Sequence, residues 1–542
     1  MDRLKKGLLV FLLAVSVILS FCACTQKGGE EPETVIVEKV LLNKTTLTMT
    51  SGESVQLVAT ASPDEAPQEF TWRSSDKNYA TVSSTGLVKV KNTGNSSGSA
   101  IITATSTADP TKKASCKITV NIAPPSPFSL SGISMVTSGP GEDASRSVVI
   151  SWHAPSTGSV LEYTDADGSE FLNTIACDGH LSTATWADTA THYRCRVVLE
   201  NLTPGKTYKY RIKDAEGKYT DVAQFRTAEA DTEFQFMWLS DNHVMNGGEN
   251  HLKTVEDFIK LANEKDGVSI DFCLFTGDMV NKGQNYFHWN AWSESGLMDA
   301  MQYAFVAGNH DYYPYSSKAR TTNAYYKDVA AYPYNNSIGE GDEAVYVLDS
   351  NYWFIWNNVL FVCIDNFTSE GSETKKLDGS SIEDQKAWFE AVVKANEGKY
   401  DYLVYAQHLP LFIDDEPCEY GYYDEWYELF DKYQVDFALS SDEHAYTRTN
   451  PLKADSTMEL TDGKVTVGTV YMTSFETEGS IGTATNKTQR QNDGKYAAFY
   501  GGGGVGGGVY FTVTPTEMTM HLICVGGVEK DSVTVVKKNR SK

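Results

Sequence analysis

The sequence predicts two N-terminal all-β sandwich domains followed by an α/β domain built as an α+β sandwich. Three observations carry that expectation. Residues 35–121 string short apolar runs between Gly, Asn, Ser and Asp turns at about ten-residue spacing, the grammar of a β-sandwich. Residues 129–227 repeat it, with alternating strands such as VVISWHAP. From about residue 232 apolar strand-like runs alternate with helical periods, the pattern of βαβ units whose strands are buried on both faces. At 542 residues the chain also exceeds what one core can serve.

The elements run as follows. Arg3, Lys5 and Lys6 precede LLVFLLAVSVILSF, an apolar run shorter than the roughly 20 residues of a spanning helix. This reads as a secretory signal over 1–23. Ala23 before Cys24 resembles a bacterial lipobox, which implies lipidation of Cys24, a tether over 24–34 and an outer-membrane location facing the periplasm or the outside. The alternative is an ordinary signal peptide with incidental cysteines. Seven cysteines follow Cys24 with no CxxC, and Cys177–Cys195 is the one pair to consider for a disulfide. Cys273 and Cys363 sit in apolar runs and read as buried thiols. A net charge of −25 argues against nucleic acid as a partner.

Residues 35–122 form the first domain. SGESVQLVATASP and FTWRSSDKNYATVSSTGLVKV resemble the bacterial Ig-like modules of surface proteins, with Trp72 as core aromatic. A spacer role is implied, with glycan or protein contacts at the cell surface as a further possibility. The linker APPSPF, 123–128, closes it. The second domain, 127–228, carries VVLENLTPGKTYKYRIKD, with Leu202, Pro204, Gly205 and Tyr208. That run resembles the fibronectin-like domain in front of purple acid phosphatase catalytic domains. His153, His180 and His192 lie here without carboxylates and read as structural or surface residues.

The third domain, 232–535, opens with the strand FQFMWLS. The run 249–267 places Leu252, Val255, Phe258, Ile259 and Ala262 at a helical period. IDFCLFTGD, YAFVAGNHD, VLFVCIDN, DYLVYAQH and VDFALSSDEH are strands, with helices over IEDQKAWFEAVVKAN and WYELFDKYQ. The glycine run 501–508 lacks the Lys-Ser/Thr and helix of a P-loop, so it reads as a loop before a terminal hairpin.

Five strands end in candidate metal ligands: Asp241 and His243; Asp278; Asn309, followed by His310 and Asp311; His408; and Asp442 with His444. Ligands of open α/β sheets gather at the carboxyl ends of strands, so the five clusters converge. Asp442 and His444 are two apart, which on extended backbone points both the same way. One Asp or His at a strand end is commonly a cap or a core residue; the ordered series D-x-H, G-D, G-N-H-D, H, x-x-H resembles the metallophosphoesterase (calcineurin-like) superfamily, nearest to purple acid phosphatases, down to Tyr446-Thr447-Arg448.

The resemblance implies two divalent or trivalent metal ions (Fe, Mn, Zn or Mg). Asp241, His243, Asp278 and His444 would hold one; Asp278, Asn309, His408 and Asp442 the other, Asp278 bridging. His310 would be the general acid, oriented by Asp311, while metal-bound hydroxide attacks a small phosphomonoester. Two cations about 3.5–4 Å apart suit that reaction, because they clamp phosphoryl oxygens and acidify water. Three departures stand out. Asn281 occupies the place of the tyrosine that colours purple members. LPLFIDDEPCEYGYY lacks their substrate-facing histidines, leaving Tyr420, Tyr422 and Tyr423 as cleft or packing residues. Asp442 stands where the family has His. The rival readings are a phosphodiesterase on the same scaffold and a surface adhesion lipoprotein with a weakened site.

Overall fold

The computed structural model describes residues 35–50, 53–77, 79–90, 98–121, 136–137, 145–182, 193–230, 233–244, 249–267, 269–294, 302–312, 324–330, 335–340, 344–347, 350–366, 381–474, 490–491, 495–500, 507–524 and 528–540. The signal segment, Cys24, the tether, the linker 123–128, His192 and most of the glycine run lie outside them.

The first domain is all β. Gly98–Ser106 pairs antiparallel with Lys113–Asn121 and Phe70–Ser74, and Thr46–Thr50 lies parallel to Lys113–Asn121. Leu57, Val88, Ile102, Cys116 and Ile118 are fully buried, with Trp72 packed against them. The second domain pairs Val148–Ala154 with Tyr193–Leu199, and Ser159–Asp165 with Asn173–Cys177 and Thr207–Lys213. Trp152, Leu161, Tyr208 and Phe225 form its core. The Tyr208 hydroxyl accepts the Thr203 amide at 2.9 Å, so the Leu-x-Pro-Gly turn is tied to the strand it enters. Cys177 and Cys195 are free thiols in contact, Cys195 Sγ lying 3.7 Å from the Cys177 carbonyl.

The third domain is built from β1 (Phe234–Leu239), α1 (Glu249–Asp266), β2 (Phe272–Thr276), β3 (Gln302–Val306), α2 (Ala324–Val329), β4 (Tyr352–Trp356), β5 (Val359–Cys363), α3 (Ile382–Ala395), β6 (Tyr402–Ala406), α4 (Tyr423–Tyr433), β7 (Phe437–Ser440), β8 (Thr447–Thr449), β9 (Val470–Thr473), β10 (Ala497–Tyr500), β11 (Gly507–Val513), β12 (Glu517–Cys524) and β13 (Val528–Val536). One sheet runs β3-β2-β1-β11-β12-β13; the other runs β4-β5-β6-β7-β9-β8-β10 and ends on Arg490–Gln491. Strands β1, β2 and β3 are mutually parallel, as are β5, β6 and β7. The terminal hairpin thus gains a third strand, β13, which antiparallel pairing joins to β12.

The two sheets face each other across aromatic side chains. Phe236 meets Phe361 edge-on at 5.2 Å, and Phe272 stacks on Trp356 at 4.5 Å. Outside the second sheet, α3 and α4 bury Trp388, Phe389, Trp426 and Phe430. The start of α3 is fixed by a capping box: Ser381 accepts the Asp384 amide, and Asp384 accepts the Ser381 amide. Strands β2, β3, β5 and β6 are buried at every position, as their unbroken apolar runs require. Cys273 and Cys363 are among these buried residues.

Candidate metal centre

The parallel strands of both sheets present their carboxyl ends to one place. The loop after β1 is zipped to the loop after β2: Asp241 N donates to Gly277 O at 3.0 Å, His243 N to Asp278 O at 2.9 Å, and Val244 N to Met279 O at 3.1 Å. Two glycines make this approach possible. A Cβ on Gly277 (φ +98°) would lie 2.4 Å from His408 Nδ1, and one on Gly308 would lie 2.3 Å from the Asp278 amide. The glycines of G-D and G-N-H-D are therefore steric requirements of the site.

The ligand atoms fall into two groups around Asp278. Its Oδ2 lies 3.5 Å from His243 Nε2, which is 3.1 Å from His444 Nε2; His444 Nε2 is in turn 3.5 Å from Asp241 Oδ1. Its Oδ1 lies 3.4 Å from His408 Nε2, which is 3.1 Å from Asn309 Oδ1 and 3.5 Å from Asp442 Oδ1. Each carboxylate oxygen of Asp278 thus faces a different imidazole set. His408 donates from Nδ1 to the Thr276 carbonyl at 2.7 Å, which leaves its Nε2 lone pair aimed at the cluster.

This donor set fits a pair of cations. Asp241 is fully buried and Asp278 nearly so, yet Asp241 Oδ1 and Asp278 Oδ2 have no hydrogen-bond donor. Such oxygens are costly to bury unless a cation meets them. Burial pushes the Asp241 carboxyl well above its ordinary range, against the pull of His408 and His444. Burial acts the same way on Asp278, but the imidazoles of His408, His243 and His310 outweigh it and hold that carboxyl down. His444 at 36% and Asp442 at 20% exposure are more open than His408 at 0% and His243 at 8%, so the cluster has an open edge at 442–444.

Two sequence expectations are corrected in their geometry. Asp442 and His444 do not share an extended strand. Both have left-handed backbone, φ 71° and 53°, in a turn where Ser441 N donates to His408 O and Glu443 N to Ser441 O. They consequently serve opposite sides, Asp442 facing His408 and His444 facing His243. Nor does the Asp311 carboxylate reach toward the His310 ring. It accepts the amides of Gly308, Asp278 and Val280 at 2.9, 3.1 and 3.3 Å, stapling the third strand-end loop to the second.

The partner of His310 was not legible from residue types. Its Nδ1 lies 2.8 Å from the backbone carbonyl of Asn281, and its ring stands edge-on to His243 at 4.4 Å. A main-chain acceptor leaves no signature in a sequence motif. Burial lowers the His310 pKa below its ordinary value, partly offset by Asp278. Tyr423 is packing, buried against Phe412 and Tyr471, whereas Tyr420 is 40% exposed and donates to Glu443 beside Asp442.

Comparison with known proteins agrees with this geometry. Residues 36–118 match the bacterial Ig-like domain (group 2), residues 135–227 the purple acid phosphatase N-terminal domain, and residues 234–446 the calcineurin-like phosphoesterase family. Two uncharacterized proteins of Mycobacterium tuberculosis, from two strains, are each 23% identical over 339 residues, 58% of this chain. The match spans 61% of the length of those relatives. Among solved structures, a purple acid phosphatase from yellow lupin (Lupinus luteus) seeds superposes with a TM-score of 0.55 at 14% identity, over 93% of this chain and 96% of its own. The structure of PhoD superposes with a TM-score of 0.52 at 14% identity, over 77% and 92%. At such identities the likeness is one of fold. The strand-end cluster and the family match together place the third domain in the calcineurin-like phosphoesterase family.

Proposed function

We propose that this chain is a two-metal phosphoesterase that hydrolyses small phosphomonoesters outside the cytoplasm. The observation that carries the reading is the bidirectional placement of Asp278, one oxygen toward His243 and the other toward His408. Asp241, His243, Asp278 and His444 would hold one cation; Asp278, Asn309, His408 and Asp442 the other. Bound there, two cations supply Lewis-acid polarisation of the phosphoryl oxygens and an activated water. Divalent ions suit this mixed oxygen and imidazole set, and Mn, Fe, Zn and Mg remain the candidates.

The protein's own groups do the rest. Thr276 O fixes the His408 tautomer. Asn281 O holds the His310 Nδ1 proton, so His310 would give a leaving alkoxide a proton from Nε2 only in its imidazolium form. The open 442–444 side admits the ester. Extracytoplasmic placement rests on the signal-like N-terminus with Cys24 as a lipid anchor, and on the Ig-like domain, whose contacts at a cell surface belong to the same reading. Metal analysis of the purified protein with a panel of phosphomonoesters and phosphodiesters tests it. Two metal equivalents and a preference for monoesters are expected. Metal stoichiometry below one, with no ester cleaved, would overturn it; a diester preference would move the substrate class.

A further inference from the structure

One of the places where the second β domain meets the catalytic domain is a short helix, α2. Arg194 Nη1 donates to the Lys327 carbonyl at 2.8 Å. His153 Nε2 lies 2.7 Å from the Asp328 carbonyl, so this nitrogen carries a proton and donates it. Ser151 Oγ donates to the Val329 carbonyl at 3.4 Å, and Ser182 Oγ donates to the Asp328 carboxylate. The three acceptor carbonyls are the last three of a six-residue helix. Carbonyls of a final turn lack intrahelical partners, and a helix this short is marginal alone. The neighbouring domain completes it from paired strands, Arg194 standing opposite His153 in the register. His153 is 1% exposed and Asp328 7%, so water does not compete.

What α2 holds is the catalytic turn. Tyr326 is fully buried, donates from its hydroxyl to the Phe305 carbonyl of β3 at 2.9 Å, and stacks on Tyr312 at 6.4 Å. Tyr312 ends the turn His310–Tyr312 and donates to the buried carboxylate of Asp365. A continuous run of contacts, buried at His153, Tyr326 and Tyr312, therefore leads from His153 and Arg194 through α2 to the turn that begins with His310.

We infer that His153 and Arg194 are positioning residues: the second β domain, through them, sets the placement of His310. This rests on the phosphoesterase reading and gives that domain a part in the reaction. The consequence is selective. A misplaced proton donor slows esters whose leaving group needs a proton and spares those whose leaving group departs as a stable anion.

The test uses the full chain. In His153→Phe and Arg194→Met, kcat for an alkyl phosphate should fall by about 10- to 100-fold, with KM, metal content and kcat for p-nitrophenyl phosphate close to wild type. His153→Gln keeps an amide donor and should recover much of the loss. Hydrogen exchange of residues 302–312 should quicken in His153→Phe without a matching fall in the exchange protection of the second β domain. An equal fall for both ester classes with loss of metal would make the contact merely structural and overturn the inference, as would unchanged kcat and unchanged exchange. If the wild-type chain cleaves no ester, the phosphoesterase reading falls by itself. The exchange measurement then still decides whether the contact governs the 302–312 turn.

Discussion

At the scale of single residues, the site is where the backbone departs most from ordinary conformations. Asp241, His243, Asp278, Asp442 and His444 all have positive φ, between 46° and 71°. Such conformations cost about 1–3 kcal/mol each and persist where packing enforces them. The residue types of this cluster were readable from the sequence, because each follows an apolar strand. Its backbone sense was not, because the left-handed turn at 442 and 444 is tied to a loop far away in the chain, Ser441 N donating to His408 O at 2.7 Å. That turn sends Asp442 toward His408, which defines a test. Asp442→Ala should weaken binding of the second cation while leaving that of the first, which Asp241, His243, Asp278 and His444 would hold; calorimetric titration showing two sites of unchanged affinity would remove Asp442 from the ligand set. Asp442→His should shift preference toward Zn²⁺ from harder ions, since nitrogen replaces oxygen. His310 makes a different prediction. Its Nδ1 is spent on Asn281, although His310 also lies within ligand reach of His243 and Asp278. His310→Ala should keep its metals and slow alkyl ester hydrolysis by about 10²–10⁴-fold. Metal loss in that variant would reassign it as a ligand.

At the scale of elements, the strands that bear no ligand hold the ligand loops still. Strand β13 contributes Asp531, which takes Arg448 through two bonds of 2.6 and 2.7 Å and the Tyr446 hydroxyl at 2.8 Å. All three side chains are buried. Tyr446 is two residues past His444, so the terminal hairpin clamps the exit of the ligand turn. The Y-T-R motif was visible in the sequence; its partner, more than eighty residues downstream on a strand beyond the expected hairpin, was not. Asp531→Ala would strand the Arg448 charge and should cost about 3–5 kcal/mol, against about 1 kcal/mol for Tyr446→Phe, as read by denaturant unfolding. Equal effects would mean that the charge pair is not the clamp. A second clamp responds to pH. Asp415, near the tip of the loop after His408, accepts the amides of Lys495, Tyr496 and Ala497 at 2.5, 2.7 and 2.7 Å. Partial burial works to raise this carboxyl, but the three amides outweigh it and hold it below the ordinary 3.8. The folded state thus binds this proton less readily than the unfolded state. The stabilisation is present above pH 3.8 and is lost as pH falls through the lower folded value. Asp415→Asn should flatten the acid limb of Tm against pH in that window, and an unaltered limb would show that another carboxyl governs it.

At the scale of the whole molecule, the two N-terminal domains are both built of strands and should differ in what they do for the site. Both were readable as β-sandwiches, because alternating strands and turn residues are local signals. The coupling of the second to the third domain was not, since His153 reads in sequence as a structural or surface histidine and its acceptor is a main-chain carbonyl 175 residues away. The first domain builds its own core: the buried clusters around Val37, Val40 and Ala61 and around Leu57, Ile102 and Ile118 draw on residues 37–120 alone. A domain with its own core unfolds as a unit. Removal of residues 36–118 should therefore leave metal stoichiometry and kcat unchanged, and calorimetry should lose one transition while the remaining one keeps its Tm. The second domain should offer no such freedom, because its His153 and Arg194 donate to carbonyls of α2 in the third domain, and Tyr326 of α2 stacks on Tyr312 at the end of the His310 turn. If cutting away the first domain lowers kcat or shifts the Tm of what remains, the Ig-like domain is part of the enzyme's folded unit, and a spacer role for it is excluded.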